Sequence, residues 1–186
     1  MKSFQRSARS RHKVIAETLY HEIVRQARCP EFYLAQDVAD TVDGRFDLIA
    51  LHAFLILRRL RGASADSGAL AQALFDHMFL DMENNLREMG VGDLSVGRQV
   101  KAMVASFYGR IAAYDDGLTN DDDALVGALS RNLYRNATPA PTAIRQMAEY
   151  LRREAEIVTT LPLESLMRGA FAFGLPPSHE NVRAPL

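Results

Sequence analysis

The chain has 186 residues, of which 48% are hydrophobic and 24% charged, the composition of a globular domain that can bury a core without a metal or a disulfide. Its 22 basic and 23 acidic residues give a formal net charge of -1, which excludes a protein whose whole surface binds nucleic acid. The single cysteine, Cys29, excludes an internal disulfide and multi-cysteine metal sites, and it fits a reducing compartment.

The N-terminal segment is basic. No acidic residue precedes Glu17, and no apolar segment of the signal-peptide kind follows. Such a start is similar to a mitochondrial transit peptide, but it runs directly into an amphipathic pattern, so we expect residues 1–13 to form a retained basic arm. Arg6 and Arg9 should make few core contacts, and the arm should attract anionic lipid headgroups or ribosomal RNA. The basic residues of this arm are Lys2, Arg6, Arg9, Arg11 and Lys13.

Helical periodicity dominates the rest of the chain. The first helix has an apolar face from Ala16 to Ala27 and should end before Pro30, because the residue before a proline avoids the helical region. The longest apolar stretch, Leu48–Leu57, is too short to span a membrane and predicts a buried central helix. After a single turn near 32–34, helices are predicted at 44–61, 67–89, 94–114, 119–135, 142–158 and 162–173.

This pattern predicts an all-α fold, a compact bundle of about seven helices forming a single domain over residues 14–173. Alternation of the β type never exceeds four residues. Three prolines predict an extended tail over residues 174–186. The residues expected to be largely buried are Leu51, Phe54, Leu55, Phe75, Phe79, Leu86, Val100, Val104 and Phe107.

A catalytic site finds little support. His77 and Asp81 share a helix face, but the HExxH and ExxH patterns of helical metal sites are absent, so we expect no metal. Cys29 and His21 lack a third group to orient them, and a cysteine usually behaves as a small buried hydrophobe. A small helical enzyme using His77/Asp81 or Cys29 is the less favoured alternative to a non-enzyme, and no cofactor is expected.

Two features of the helices at 67–89 and 94–114 predict a groove for an apolar helix. Four of the seven methionines lie between positions 78 and 103, and flexible methionines adapt to varied apolar partners. The second helix has a row of small residues, which lets another helix approach closely. We expect Met82, Met89 and Tyr108 to be partly exposed beside that row. The candidate binding residues are Met78, Met82, Met89, Met103, Ala105, Phe107, Tyr108, Gly109 and Ala113.

The run Phe75–Gly97, with LREMGVGD at its centre, resembles the ubiquinol–cytochrome c chaperone family. The segment Tyr108-Gly109-Arg110, followed by Tyr114, and the helix entry Asp43–Leu48 are similar to that family as well. The resemblance covers about residues 14–173. Because the chain lacks the long N-terminal extension of mitochondrial members, it looks like a bacterial member.

The resemblance implies a non-enzymatic assembly factor for the cytochrome bc1 complex that binds newly made cytochrome b. Mitochondrial members work with a small partner protein near the ribosomal tunnel exit. The expected location is cytoplasmic, peripheral at the inner membrane, or the matrix side of a mitochondrion in a eukaryote. The alternative is a helical interaction module for a soluble partner, which would show a flat apolar patch instead of a groove.

Three charged residues of the family-like region, Asp81, Glu88 and Arg110, form no known reactive set. We expect them to make a structural polar network in which Arg110 pairs with one of the two acids, because charged residues are rarely buried unless paired.

Overall fold

Eight α-helices and one π-helical turn make up the regular structure of residues 2–135 and 137–178, the parts of the chain that the computed structural model describes. They pack into one domain, so the predicted all-α bundle is confirmed. The elements are α1 (Lys2–Ala27), α2 (Glu31–Leu34), α3 (Val42–Leu60), α4 (Ala65–Glu88), α5 (Asp93–Thr119), α6 (Asp122–Leu129), the π-helical turn (Ser130–Tyr134), α7 (Pro141–Thr160) and α8 (Leu163–Leu166).

The central helix is α3. It begins where the Thr41 hydroxyl accepts a hydrogen bond from the Gly44 amide at 3.1 Å. It is apolar nearly all round, and α1, α4, α5 and α7 contact it. Six of the nine predicted core residues are buried, but Phe75, Val100 and Val104 are only partly so, because they belong to the α4–α5 hairpin at the edge of the bundle. The six are Leu51, Phe54, Leu55, Phe79, Leu86 and Phe107.

The basic arm is continuous with α1, which begins at Lys2. His12 is buried, and its Nε2 lies 2.9 Å from Asp66 Oδ1 of α4, so the arm contacts the bundle at this residue. Arg9, Arg11 and Lys13 are exposed. The side chains of Lys2 and Arg6 lie outside the described residues. Binding of the arm to anionic membranes or ribosomes stays a prediction.

Helix α5 passes through Gly117 and ends at Thr119, so the predicted end at 114 is wrong. A Cβ atom added to Gly117 would lie 2.9 Å from Leu125 Cα of α6. The glycine therefore permits a close approach of two helices and does not terminate the first.

Gly117→Ala is expected to lower stability by about 1–3 kcal/mol, because the added methyl group overpacks the contact with Leu125. Gly109→Ala, in the same helix, is the matched control. Its added Cβ would meet no described atom within 4 Å, so alanine should add up to about 1 kcal/mol through helix propensity. Urea denaturation measures both. Equal stabilisation by the two substitutions would show that the close approach is not needed.

Helix α8 ends at Leu166, so the prediction of a helix to residue 173 is wrong. Gly169 adopts a left-handed conformation, with φ of +72°, which suits the end of the turn that follows α8. Residues 170–178, the C-terminal strap, then run without regular structure across the bundle. The predicted tail is non-helical over 174–178, and residues 179–186 lie outside the described part of the chain.

Side chains of α1 and α7 hold the C-terminal strap by its backbone. Gln26 donates a hydrogen bond to the Gly174 carbonyl at 2.8 Å, and the Gly174 amide donates to Glu154 at 2.9 Å. Phe173 is buried with its ring centroid 4.9 Å from that of His52. The strap therefore covers part of the central helix.

Candidate functional site

A groove lies between the first half of α3, the end of α4 and the first half of α5, and it encloses about 810 Å³. Each of these helices turns apolar side chains toward it, and Ala27 of α1, Tyr33 of α2 and Arg135 also line it. We call it the α3–α5 groove. Its large apolar lining residues are Phe46, Ile49, Met82, Leu86, Met89 and Met103.

Three of the predicted binding residues line the α3–α5 groove: Met82, Met89 and Met103. Met89 is 54% exposed, as expected. Met82 is buried, against the expectation of partial exposure, because α4 packs along α1. The contribution of α3 was missed, since nothing in the local pattern of Phe46 indicates which distant helix it faces.

Two of the predicted binding residues belong to the core. Met78 and Phe107 are both buried. The Phe107 ring centroid lies 5.9 Å from that of Phe75 and 5.7 Å from that of Phe79, so it joins α4 to α5. A partner could not contact these two residues without disrupting the fold, and their assignment to the binding surface is wrong.

The row of small residues on α5 divides between two faces. Ala102 and Ser106 line the groove. Ala105 and Gly109 are exposed beside it, and no other helix packs on Gly109 among the described residues. The two remaining predicted residues differ in exposure: Tyr108 is 55% exposed and Ala113 packs against the core. Of these small residues, only Ala102 and Ser106 are therefore placed to contact a helix inside the groove.

Arg110 pairs with Asp47 of α3, not with Asp81 or Glu88. Arg110 Nη2 donates to Asp47 Oδ1 at 2.7 Å, and both side chains are buried. The same carboxylate meets Arg135, whose Nε lies 2.7 Å from Oδ2 and whose Nη2 donates to Oδ1 at 2.9 Å. Burial raises the pKa of the Asp47 carboxyl, and the two guanidinium groups oppose that rise. We call Asp47, Arg110 and Arg135 the ion cluster.

The ion cluster borders the α3–α5 groove. Arg135 lines it directly, and Arg110 contacts Ser106, a lining residue, and the face of the Phe46 ring at 5.6 Å. Asp81, Glu88 and Arg110 therefore do not form the predicted network. Each lies in a different environment, and Glu88 is exposed at the edge of the groove.

His77, Asp81 and Cys29, the residues considered for a small helical enzyme, lie in environments that suit a structural role. Tyr20 of α1 donates a hydrogen bond to Asp81 at 2.7 Å, and its ring packs edge-on against His77 with centroids 5.2 Å apart. Burial raises the pKa of the Cys29 thiol, which makes its thiolate less available as a nucleophile. The described residues contain no group of three or more His, Cys, Asp or Glu side chains arranged to hold a metal.

None of the described helices combines the length and the apolar composition needed to cross a membrane.

Comparison with known proteins agrees with the sequence resemblance. The family model for the ubiquinol-cytochrome C chaperone matches residues 35–173. The chain is 26% identical over 155 residues to ubiquinol-cytochrome-c reductase complex assembly factor 1 of Xenopus laevis, covering 83% of this chain and 78% of that protein. The human factor of the same name is 25% identical, and the chain spans 52% of its length.

A solved structure has the same fold. The crystal structure of the Cbp3 homolog from Brucella abortus superposes with a TM-score of 0.81 at 33% identity, covering 93% of this chain and 95% of that one. Together with the family model, it shows that the chain belongs to the ubiquinol-cytochrome C chaperone family.

Proposed function

We propose that the chain is a non-enzymatic assembly chaperone for the ubiquinol–cytochrome c reductase complex, and that it holds an apolar helix of newly made cytochrome b in the α3–α5 groove. The observation that carries this proposal is the groove itself, an open and mainly apolar cleft whose walls come chiefly from α3, α4 and α5 and whose lining includes the exposed Met89. The names of the relatives, which are assembly factors of that complex, support it.

The chemistry of the groove suits such a client. An apolar helix exposed to water tends to aggregate, and shielding it requires an apolar surface that is itself stable in water. The methionines supply flexible side chains that adjust to the client, as in other grooves that receive amphipathic or apolar helices. Ala102 and Ser106 are small enough to let a helix backbone approach α5 closely.

The direct test is photo-crosslinking in cells that make cytochrome b. A crosslinking residue at Gln99, an exposed lining residue, should capture cytochrome b. The same residue at Glu149, exposed on α7 and outside the groove, should not. Capture of a soluble protein at Gln99 in place of cytochrome b would instead support an interaction module for a soluble partner.

Met89→Asp and Ala102→Trp are each expected to reduce cytochrome b capture at least about tenfold, because one adds a charge to the apolar surface and the other fills it. Leu80→Asp on α4 and Ala112→Trp on α5 are the matched controls, since both sites are exposed outside the groove. Capture is measured by crosslinking yield, and urea denaturation verifies that all four variants fold. Equal loss in variants and controls would contradict binding in the groove.

A further inference from the structure

We propose that a pocket at the C-terminal end of α3 binds a phosphate group, and that its surroundings favour the headgroup of an anionic phospholipid as the source. The pocket lies between the end of α3, α5 and α7, and it encloses about 450 Å³. It shares no lining residue with the α3–α5 groove, so this inference does not rest on the proposed function. We call it the arginine pocket. Its charged lining residues are Arg58, Arg59, Arg61 and Asp115.

The sequence at the end of α3 brings the three arginines together. Leu60 is buried in the core, whereas Arg58 and Arg59 are partly exposed and Arg61 is exposed. Gly62 follows in a left-handed conformation, with φ of +75°, that turns the chain away from the helix. Basic residues at this position offset the negative end of the helix dipole, but that end carries only about half an elementary charge. The dipole therefore does not account for three arginines.

Two of the three arginines have no carboxylate partner among the described residues. Arg58 Nε lies 2.6 Å from Asp115 Oδ1, so these two charges neutralise each other. Arg59 Nη2 donates to a backbone carbonyl between α7 and α8 at 3.1 Å, and Arg61 forms no ion pair. The exposed Asp116 lines an adjoining hollow together with Arg61. Even when both of these acids are counted, the three arginines leave one positive charge in excess.

The Nε atom of Arg59 gives a second indication of a ligand. It is buried, and it has no hydrogen-bond partner among the described residues. A charged N–H group that is shielded from water and unpaired is costly, so native proteins rarely contain one without a reason. Because Arg59 lines the pocket, an oxygen of a bound anion can supply the acceptor that this guanidinium lacks.

Phosphate is the anion that several guanidinium groups suit best. Each guanidinium donates through a planar fork of N–H groups that matches phosphate oxygens. The tetrahedral oxygens of a phosphate can accept from more than one arginine at once, whereas a carboxylate has two oxygens in one plane. The pocket has the size of a small-molecule site, about 300–1,000 Å³, so it holds more than a bare anion. Leu55, Ala63 and Ala155 give the rest of the ligand an apolar wall.

The basic arm lies at the same end of the bundle as the arginine pocket. Arg11 and His12 contact Asp66, which is in the first turn of α4, directly after the loop that lines the pocket. Arg9 and Lys13 of the arm are exposed. Basic side chains near a membrane are attracted to its anionic lipids, and basic pockets between helices bind lipid headgroups. This neighbourhood favours a phospholipid over a free phosphate.

The first test titrates the full chain with inorganic phosphate and follows the backbone amides by NMR. The amide of Ala63 is expected to shift, and chloride at the same ionic strength should not reproduce the shift. Arg59→Gln combined with Arg61→Gln, the pocket variant, should bind phosphate at least about tenfold more weakly, because charge-assisted hydrogen bonds are lost. Arg98→Gln combined with Arg145→Gln is the matched control, since both arginines are exposed outside the pocket and the same charge is removed. It should bind phosphate like the natural protein.

The second test distinguishes the two sources of phosphate. Vesicles of phosphatidylcholine mixed with phosphatidylglycerol should bind the pocket variant at least about fivefold more weakly than the control, and vesicles of phosphatidylcholine alone should bind neither. Equal vesicle binding, with phosphate binding lost only in the pocket variant, would assign the pocket to a free phosphate. If the double variant fails to fold, Arg61→Gln alone, at an exposed site, should still weaken binding about threefold or more.

Equal affinities of the pocket variant and the control for both phosphate and vesicles overturn the inference. Loss of binding to an RNA oligonucleotide alone, with phosphate and vesicle binding intact, overturns it as well.

Discussion

Asp47→Asn is expected to destabilise the protein by about 3–5 kcal/mol, the usual cost of breaking a buried ion pair by removing one partner. Asparagine has nearly the same size as aspartate, so the loss of stability would come from removal of the charge and not from a change in packing. It would leave the buried guanidinium of Arg110 without a carboxylate. Urea denaturation measures the change in the free energy of unfolding.

Asp43→Asn is the control for this prediction, since its carboxylate also contacts Arg135 but is exposed, and it should cost less than about 1 kcal/mol. Arg110→Met should lower the melting temperature less than Asp47→Asn, because Arg135 still neutralises the carboxylate. A near-normal stability of Asp47→Asn would contradict a structural role for the ion cluster. Normal stability of Arg110→Met with lost client binding would make Arg110 a contact residue.

The second large effect concerns pH and His52. This imidazole is fully buried, its Nδ1 lies 2.7 Å from the Leu48 carbonyl and its Nε2 lies 2.8 Å from the Tyr150 hydroxyl. Burial lowers its pKa from 6.5 to about 4, while a hydrogen bond to Leu48 and the charge of Glu22 partly oppose the shift. The neutral ring fits this site, because Nδ1–H can donate and Nε2 can accept.

Because the unfolded chain binds the His52 proton more tightly, stability should rise with pH between 4 and 6.5. The contribution is complete above the unfolded pKa and is lost as the pH falls toward the folded value. It amounts to about 3 kcal/mol, since each pKa unit corresponds to about 1.4 kcal/mol. The stability advantage of the natural protein over His52→Gln should therefore shrink by about that amount from pH 7.5 to pH 4 in urea titrations.

A glutamine at the exposed His21 is the matched control for replacing a histidine, and it should change the stability at pH 7.5 by less than about 0.5 kcal/mol. An NMR titration of the natural protein gives an independent check, since the His52 ring should not titrate between pH 7 and 5. Titration of that ring near pH 6.5 would contradict the assignment even if His52→Gln failed to fold.

The sequence predicted the elements that depend on local pattern. The central helix, predicted at 44–61, and the pair of helices predicted at 67–89 and 94–114 correspond to α3, α4 and α5, because each is encoded in residues close to one another. Helix ends that depend on a distant contact were misplaced. Gly117 ends no helix because Leu125 packs against it, and the helix predicted to reach 173 stops at Leu166.

The groove was predicted on α4 and α5, but the contribution of α3 and the ion cluster were not predicted. Met89 and Met103 are where the pattern places them, whereas Asp47 and Arg135 come from positions 63 residues and 25 residues away from Arg110 along the chain. The pattern of apolar residues does not indicate such pairings, because each charged residue has many residues of opposite charge along the chain as possible partners. A signal did exist in Asp47 itself, an acid directly before the apolar stretch Leu48–Leu57, which required a buried partner.

The C-terminal strap has a consequence for the order of folding during synthesis. The hydrogen bond between Gln26 and Gly174 joins residues 148 positions apart, and that between Gln36 and Pro177 joins residues 141 positions apart. Contacts of such long sequence separation form late, because the intervening chain must first be ordered. A nascent chain halted before residue 170 would have its groove helices complete yet lack Phe173, whose ring packs against His52. The emergence of the C-terminal strap, and not that of α5, would then set the moment at which this protein reaches its full stability.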